Sequence, residues 1–201
     1  EGRTVLFVSH DLSAISTLAT RTIVLKNGNI FAIEETNKAI SIYSSMEQED
    51  KVFVQKEVIG EPSVTKVEVI TSEGGTLQAN GKSLMINFEV LMPNENYENL
   101  SVSFQIFDHL NKAVLYNYIF DNESPICRKK GINNLSFEFS NLRLYKGNYY
   151  FKIHLANSKS RVKYQEFDCC SFSVEMIDKK EPEWGWQNNV CQYLDEGKWN
   201  Y

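Results

Sequence analysis

The chain has 201 residues and a net charge of −5 at pH 7, with 42% hydrophobic and 23% charged residues. This balance is that of a folded globular protein, and the length allows one or two small domains with a proper core. A nucleic-acid-binding surface needs a basic patch, so the acidic balance argues against nucleic acid as a partner. No apolar segment approaches the ~20 residues that cross a bilayer.

Residues 4–8, TVLFV, form an apolar run that ends at the polar residues Ser9, His10 and Asp11. A run without polar alternation predicts a strand buried on both faces of a parallel sheet. Such sheets present their chemistry at the carboxyl ends of strands, which places His10 where ligands commonly bind. Asp11 is then expected to cap a helix over residues 12–19, whose apolar residues recur at helical spacing.

A hairpin and a short helix are predicted next. Residues 22–33, TIVLKNGNIFAI, contain two apolar runs around Asn27-Gly28, the pair that favours a type I′ turn between antiparallel strands. Thr36 is expected to cap the helix that follows. The apolar residues of that helix share one face: Ala39, Ile40 and Tyr43.

The pattern changes after the charged segment EQEDK at residues 47–51, and we interpret residues 47–61 as a linker. From about Pro62 onward the sequence predicts strands only, several of them with apolar and polar residues in alternation. These strands are expected at 64–70, 83–91, 100–108, 113–120, 134–140, 147–156 and 167–177. The predicted fold is therefore an α/β segment over 1–46, followed by an all-β antiparallel sandwich over 62–180, Ig-like or jelly-roll-like.

The sequence contains four cysteines: Cys127, Cys169, Cys170 and Cys191. None forms a C-x-x-C pair, and the three histidines add no spacing typical of a zinc site, so no metal site is predicted. Cys169 and Cys170 are adjacent, and we expect half-buried thiols in a strand, because redox cysteines usually come with a recognisable motif. Free cysteines are typical of a reducing cytosol.

Residues 2–30, GRTVLFVSHDLSAISTLATRTIVLKNGNI, resemble the last part of an ABC-transporter nucleotide-binding domain. The shared features are a strand, an SHD motif, a helix and a hairpin in that order, and the likeness covers residues 1–46. The resemblance implies that His10 is the switch-loop histidine, which reaches the γ-phosphate of ATP. Phosphoryl transfer needs mainly positioning and charge stabilisation, which a histidine at that place can supply.

Other parts of that family's machinery do not occur in this sequence. They are the G-x-x-x-x-G-K-[ST] phosphate loop, the Mg²⁺-binding acidic strand and the ABC signature. ATP and Mg²⁺ are therefore expected as cofactors of a full-length protein, and this chain alone is not expected to hydrolyse ATP. The missing initiator methionine and leader also lead us to expect the tail of a longer protein.

The order of the two halves resembles the ATP-binding subunits of polysaccharide and O-antigen exporters (the Wzt type), which serve lipopolysaccharide biosynthesis. The resemblance implies a cytoplasmic protein, peripheral to the inner membrane. Its implied partners are a membrane-spanning transporter subunit, a second copy of itself in a homodimer, and the exported polysaccharide. The sandwich would then recognise that glycan.

Sugars present apolar C–H faces and hydroxyl rims, so their sites combine exposed aromatic rings with hydrogen-bonding groups. Tyr150 and His154 share one side of the strand at 147–156, and Tyr116 and Tyr118 share one side of the strand at 113–120. We predict these four residues as carbohydrate-binding residues. The alternative is that they are core and edge aromatics, since partly buried tyrosine is ordinary.

The C-terminal extension, residues 181–201, contains all three tryptophans: Trp184, Trp186 and Trp199. Such an aromatic segment is not expected to remain loose in water. Three alternatives remain open: it packs along its own sandwich, crosses to a partner subunit, or forms part of the glycan site.

Two other functions compete with glycan recognition. The sandwich could be a dimerisation or docking module that binds no sugar. An enzyme in its own right is disfavoured, because the sandwich contains no nucleophile–base pair, metal cluster or paired-carboxylate motif. A measurement of glycan binding distinguishes glycan recognition from a docking module that binds no sugar.

In the full-length protein, His10→Ala is expected to leave ATP binding intact and to remove most ATP hydrolysis, because a switch-loop histidine acts on the transition state. Hydrolysis and ATP binding, measured in parallel on the purified full-length protein, check this. Wild-type turnover in the variant would contradict the assignment of the SHD motif.

Overall fold

The computed structural model describes residues 5–9, 14–15, 18–26, 28–46, 51–120, 126–187, 190–195, 197 and 199–200. One helix, α1 (Thr36–Met46), follows the first two strands. The strands in chain order are β1 (Arg21–Lys26), β2 (Asn29–Glu35), β3 (Val52–Val54), β4 (Ser63–Ile70), β5 (Leu77–Ala79), β6 (Lys82–Met92), β7 (Leu100–Asp108), β8 (Ala113–Phe120), β9 (Gly131–Leu142), β10 (Gly147–Asn157) and β11 (Lys163–Glu175). All seven strands predicted between residues 64 and 177 are present, and β3 and β5 were not predicted.

The hairpin predicted around Gly28 is confirmed. β1 and β2 pair antiparallel, with Lys26 opposite Asn29 across the connection. Gly28 has a φ of +78°, a left-handed conformation that glycine adopts without a steric penalty.

The helix α1 packs against this hairpin through the face that the sequence predicts. Ala39 and Ile40 are buried, and Tyr43 is half-buried. Thr36 is the first helical residue, and its hydroxyl donates a hydrogen bond to the backbone oxygen of Ala19 at 2.7 Å. This bond ties the start of the helix to the segment that precedes β1.

The prediction of a strand over residues 4–8 is wrong for residues 5–8, the part that the structure describes. Residues 5–8 belong to no strand, and Leu6 and Val8 expose 88% and 94% of their surface. A strand buried on both faces must belong to a sheet that other elements cover on each face, and within the described residues no strand pairs with this segment. Of the helix predicted over 12–19, residues 14, 15 and 18 are helical.

Two sheets form the sandwich. One has the order β5-β11-β10-β7-β8 and the other the order β3-β4-β6-β9. β5 joins β11 in parallel, while the other pairs in these two sheets are antiparallel within the described residues. The predicted all-β antiparallel sandwich is therefore confirmed.

The core between the sheets centres on Phe104 of β7, which is 3% exposed. Its ring centroid lies 5.8 Å from that of Phe151 in the same sheet and 5.3 Å from that of Phe137 in the opposite sheet. Phe88 and Phe139 surround it at 6.4 and 6.0 Å. Aromatic pairs of this kind contribute about 0.5–1.5 kcal/mol each beyond their area burial. These contacts hold the two sheets in one fixed relation.

A β-bulge interrupts β11 at the adjacent cysteines. Phe151 pairs with Cys169 and Tyr149 pairs with Phe172, so β11 has one extra residue between these pairs. Cys170 takes a φ of +52°, and both thiols are buried, where strict alternation would expose one of them. The hydrogen bond with Cys170 and burial raise the pKa of the Cys169 thiol. The prediction of free thiols in a strand is confirmed, but both cysteines are buried rather than half-buried.

Strand β3 lies inside residues 47–61, the segment predicted as a linker. It pairs with β4, and its Phe53 stacks on Phe167 of β11 with the ring centroids 4.8 Å apart and an angle of 16° between planes. Phe53 thereby links β3 of one sheet to β11 of the other. The sandwich thus includes residues that precede Pro62.

Phe53→Ala is expected to lower the free energy of unfolding by roughly 1–2 kcal/mol, less than the ~3–5 kcal/mol of a fully buried phenylalanine, because Phe53 is half-buried. Urea unfolding of the chain measures this difference. Val54→Ala is the matched control, since Val54 is exposed on the same strand and should change stability by less than ~0.5 kcal/mol. Equal losses of unfolding free energy in both variants would contradict a specific contribution from the stacking of Phe53 on Phe167.

Candidate functional site

The outward surface of the five-stranded sheet carries all four residues predicted to bind carbohydrate. Tyr116 and Tyr118 project from β8, and Tyr150 and His154 project from β10, with β7 lying between these two strands. We call this surface the outer face, and its side chains are Ser103, Gln105, Phe107, Tyr116, Tyr118, Phe120, Tyr150, Lys152, His154, Glu166 and Asp168. Two rows of paired residues cross it: Tyr118–Ser103–His154–Glu166 and Tyr116–Gln105–Lys152–Asp168.

A strip of three aromatic rings runs along β8 on the outer face. The ring centroids of Tyr116 and Tyr118 are 5.6 Å apart, and those of Tyr118 and Phe120 are 4.4 Å apart. Tyr116 and Tyr118 expose 54% and 52% of their surface. The strip therefore presents an accessible apolar platform with hydroxyl groups along it.

A second aromatic pair lies across the sheet from this strip. Tyr150 stacks on Phe107 with the ring centroids 5.4 Å apart and an angle of 19° between planes. The Tyr150 hydroxyl donates to Asn111 Oδ1 at 3.2 Å, in the turn between β7 and β8. Lys152 Nζ lies 5.2 Å from the centroid of Phe107. These contacts leave the Tyr150 ring half-buried in a defined orientation.

Polar side chains occupy the centre of the outer face. His154 Nε2 lies 3.2 Å from Gln105 Oε1, and His154 Nδ1 lies 3.3 Å from Glu166 Oε2. Burial lowers the pKa of His154, although the Glu166 carboxylate acts in the opposite direction. Burial therefore disfavours the charged imidazolium, while both ring nitrogens face side-chain oxygens.

A cavity of about 460 Å³ adjoins the outer face at Tyr150. Its lining includes Asn111, Asp168 and Val52. The cavity thus combines the rings of Tyr150 and Phe53 with amide and carboxylate oxygens, the kind of lining that binds a hydroxylated ring.

A cavity of about 380 Å³ on the opposite sheet has a different lining. It lies on β4, β6 and β9 and is lined mainly by polar side chains such as Asn87, Asn134 and Ser136. Lys66 and Glu89 at its rim lie 3.6 Å apart. Without an exposed aromatic ring in its lining, this cavity fits sugar stacking less well than the outer face does.

The described part of the C-terminal extension packs along its own sandwich. The backbone N–H of Tyr145 donates to the oxygen of Gln192 at 3.0 Å, and that of Leu194 donates to the oxygen of Arg143 at 2.9 Å. The ring centroid of Trp186 lies 6.1 Å from that of Tyr145. Of the three alternatives for the extension, these contacts agree with packing along its own sandwich. Two tryptophans stay exposed: Trp184 and Trp199.

Asp108, at the end of β7, joins the extension to the β7–β8 turn. Its Oδ1 accepts hydrogen bonds from the backbone N–H groups of Leu110 and Lys112, both at 2.9 Å. Its Oδ2 accepts one from Gln192 Nε2 at 3.1 Å. Burial acts to raise the pKa of Asp108, but the hydrogen bonds together outweigh it and lower that pKa.

Several residues of the outer face were not predicted from the sequence, among them Gln105, Phe107 and Asp168. The alternation of β7 could have placed Gln105 and Phe107 on one side of that strand. Their proximity to Tyr150 and His154 depends on the pairing of β7 with β10, which local patterns do not reveal. His10 lies outside the described residues. Within the residues described, no group of three His, Cys, Asp or Glu side chains is placed to hold a metal ion, and no helix is long and apolar enough to cross a membrane.

No family model and no curated protein matches this chain. Among solved structures, the C-terminal domain of Wzt is similar to it with a TM-score of 0.44 and 10% identity, covering 72% of this chain and 87% of that chain. A Niemann-Pick type C2 protein from the Japanese carpenter ant has a TM-score of 0.43 and 7% identity, covering 61% of this chain and 99% of that one. A β-glucuronidase from glycoside hydrolase family 2 has a TM-score of 0.36 and 13% identity, covering 51% and 10%. Similarities of this size assign no family and no function to the chain.

Asp108→Asn is expected to lower the free energy of unfolding by about 1–2 kcal/mol near pH 7, because the hydrogen bonds lose a charged acceptor. The folded-state pKa of Asp108 is lowered, so its stabilisation is fully present above the unfolded pKa of ~3.9 and is lost as the pH falls through the folded-state value. Urea unfolding between pH ~7 and ~3 should therefore show the two proteins converging in acid.

The matched control for Asp108→Asn is Glu57→Gln, at an exposed position before β4. It should differ from the unchanged chain by less than ~0.5 kcal/mol across the same pH range. A difference for Asp108→Asn that stays constant with pH would contradict a role for the ionised carboxylate.

Proposed function

We propose that this chain is the C-terminal part of the ATP-binding subunit of a polysaccharide exporter, and that its outer face recognises the exported glycan. The observation that carries the glycan proposal is the convergence of Tyr116, Tyr118, Tyr150 and His154 on one accessible surface. The exporter proposal rests on a separate observation, the resemblance of residues 1–46 to the end of an ABC nucleotide-binding domain.

Stacking on aromatic rings supports glycan recognition. A pyranose ring has an apolar C–H face. The rings of Tyr116 and Tyr118 are half exposed and lie on the side of β8 that faces away from the core. Covering these rings with a sugar removes apolar surface from water at about 25 cal/mol per Å². The tyrosine hydroxyls remain at the edge of the rings, where they can bond to sugar hydroxyl groups.

The polar centre of the outer face supports the proposal in a second way. Gln105 and Ser103 lie between the aromatic strip and His154, so donors and acceptors line the surface that a glycan would cross. A sheet surface holds these groups more rigidly than a loop does, which limits the entropy lost on binding. An open surface of this kind predicts weak affinity, in the micromolar-to-millimolar range.

In the full-length protein, His10 would serve ATP hydrolysis with Mg²⁺, and the sandwich would present the glycan to the membrane-spanning transporter subunit. Two copies would act together, since ABC exporters work with two nucleotide-binding domains. The protein would then be cytoplasmic and peripheral to the inner membrane.

A docking module is the second candidate function, and one feature of β8 favours it. β8 is an edge strand, and its sequence AVLYNYIF contains no charged residue. Natural edge strands usually carry charges that prevent pairing with other chains. An unprotected edge could therefore pair with another protein, in which case the tyrosines would lie in a protein interface.

Tyr118→Ala is expected to weaken glycan binding by about 5–10-fold, corresponding to ~1–1.5 kcal/mol of lost stacking, while Tyr118→Phe keeps most of the affinity. NMR titration of the chain with the purified cell-surface polysaccharide of its own source and with an unrelated polymer measures this. A thermal melt of each variant confirms that it is folded.

Trp184→Ala is the matched control, because Trp184 is also exposed but lies in the C-terminal extension. The Trp184→Ala variant should bind the glycan with the same affinity as the unchanged chain. Loss of binding in Trp184→Ala alone would move the site to the extension. No chemical-shift change with either polymer would favour the docking module instead.

A further inference from the structure

We infer that the outer face selects uncharged glycans over acidic ones. This inference rests on the proposed function and adds the chemical class of the ligand. It follows from how the charged groups of the outer face are paired with one another.

Lys152 of the outer face and Lys163, which lies beside it at the start of β11, each already have a carboxylate partner. Lys152 Nζ lies 3.3 Å from Asp168 Oδ1, and Lys163 forms an ion pair with Glu166. Exposed ion pairs of this kind are individually weak, at ~0–1 kcal/mol. An acidic sugar that took Lys152 as its partner would nevertheless lie beside Asp168, and repulsion between the two carboxylates would offset the gain.

Both ring nitrogens of His154 already face oxygens of the protein: Nδ1 lies 3.3 Å from Glu166 Oε2, and Nε2 lies 3.2 Å from Gln105 Oε1. The charged groups that face His154 are Glu166, Lys163 and Lys152, and the carboxylate of Glu166 contacts the ring directly. Burial lowers the pKa of His154, which disfavours the charged imidazolium. The positive charges of Lys152 and Lys163 are thus matched by the carboxylates of Asp168 and Glu166, and these four side chains together contribute no net charge.

The other half of the outer face contains no ionisable group except tyrosine. β8 contributes the rings of Tyr116, Tyr118 and Phe120, and β7 contributes Ser103 and Gln105. Sites for anionic ligands instead present unpaired arginine or lysine, or clustered backbone N–H groups. The outer face thus offers ring stacking and neutral hydrogen bonds, which match the C–H faces and hydroxyls of a neutral sugar.

Pairs of oligosaccharides that differ only by carboxyl reduction provide the test. The probes are oligomers of polygalacturonate, polymannuronate and polyglucuronate, each beside its carboxyl-reduced neutral form, titrated into the 201-residue chain by NMR. In any acidic–neutral pair that binds, we expect the neutral oligosaccharide to bind at least ~5-fold more tightly than the acidic one. The affinity of the neutral oligosaccharide should change less than ~2-fold between low and high salt, because no ion pair forms with the ligand.

Asp168→Asn should reduce or reverse the preference, because it leaves Lys152 free to bind a carboxylate. Glu138→Gln removes one carboxylate at an exposed position of β9 in the other sheet, and it should retain the full preference for neutral oligosaccharides. Tighter binding of the acidic members, with an affinity that falls steeply in salt, would overturn the inference but leave glycan recognition intact. No shift with any pair, nor with the purified cell-surface polysaccharide of the chain's own source, would contradict glycan recognition and the inference together.

Discussion

The arrangement of the outer face depends on the aromatic packing around Phe104 in the core. Successive side chains of a strand point to opposite faces, so burying Phe104 on β7 forces Ser103 and Gln105 outward. On β10, burial of Phe151 and Ile153 forces Tyr150, Lys152 and His154 outward in the same way. A shift of β10 by one residue would bury Lys152 and expose Phe151, and a shift of β7 would bury Gln105 and expose Phe104. The core therefore strongly specifies the register.

A chain of hydrogen bonds connects the C-terminal extension to the outer face. Gln192 donates to Asp108, which holds the β7–β8 turn through two backbone N–H groups. Asn111 in that turn accepts a hydrogen bond from the Tyr150 hydroxyl. The extension therefore stabilises the turn that orients Tyr150, although it does not itself carry the predicted site residues. The same turn connects β7 to the aromatic strip of β8, so both aromatic elements of the outer face share one support.

Short elements and irregularities were the parts of the fold that the sequence did not predict. β3 and β5 span three residues each, too few for an alternating pattern to be recognised. Consecutive buried residues at Cys169 and Cys170 are possible because of a bulge, which breaks the alternation that sequence reasoning assumes. For residues 5–8 the error has another cause, since an apolar run indicates burial but does not supply the paired strands and covering layers that a buried strand needs.

The sequence by itself determined the strands of the sandwich and which residues share a side of each strand, because that information is contained in local alternation. Tyr150 and His154 were placed together in this way, as were Tyr116 and Tyr118. Only the tertiary structure decided that both pairs lie on one surface. β7 sits between β8 and β10 and pairs Phe104 with Ile153, far apart in the chain, and such pairing is set by packing of the whole core rather than by local preference. Both sides of β8 are mostly apolar, so its exposed side likewise depends on which neighbours cover the other.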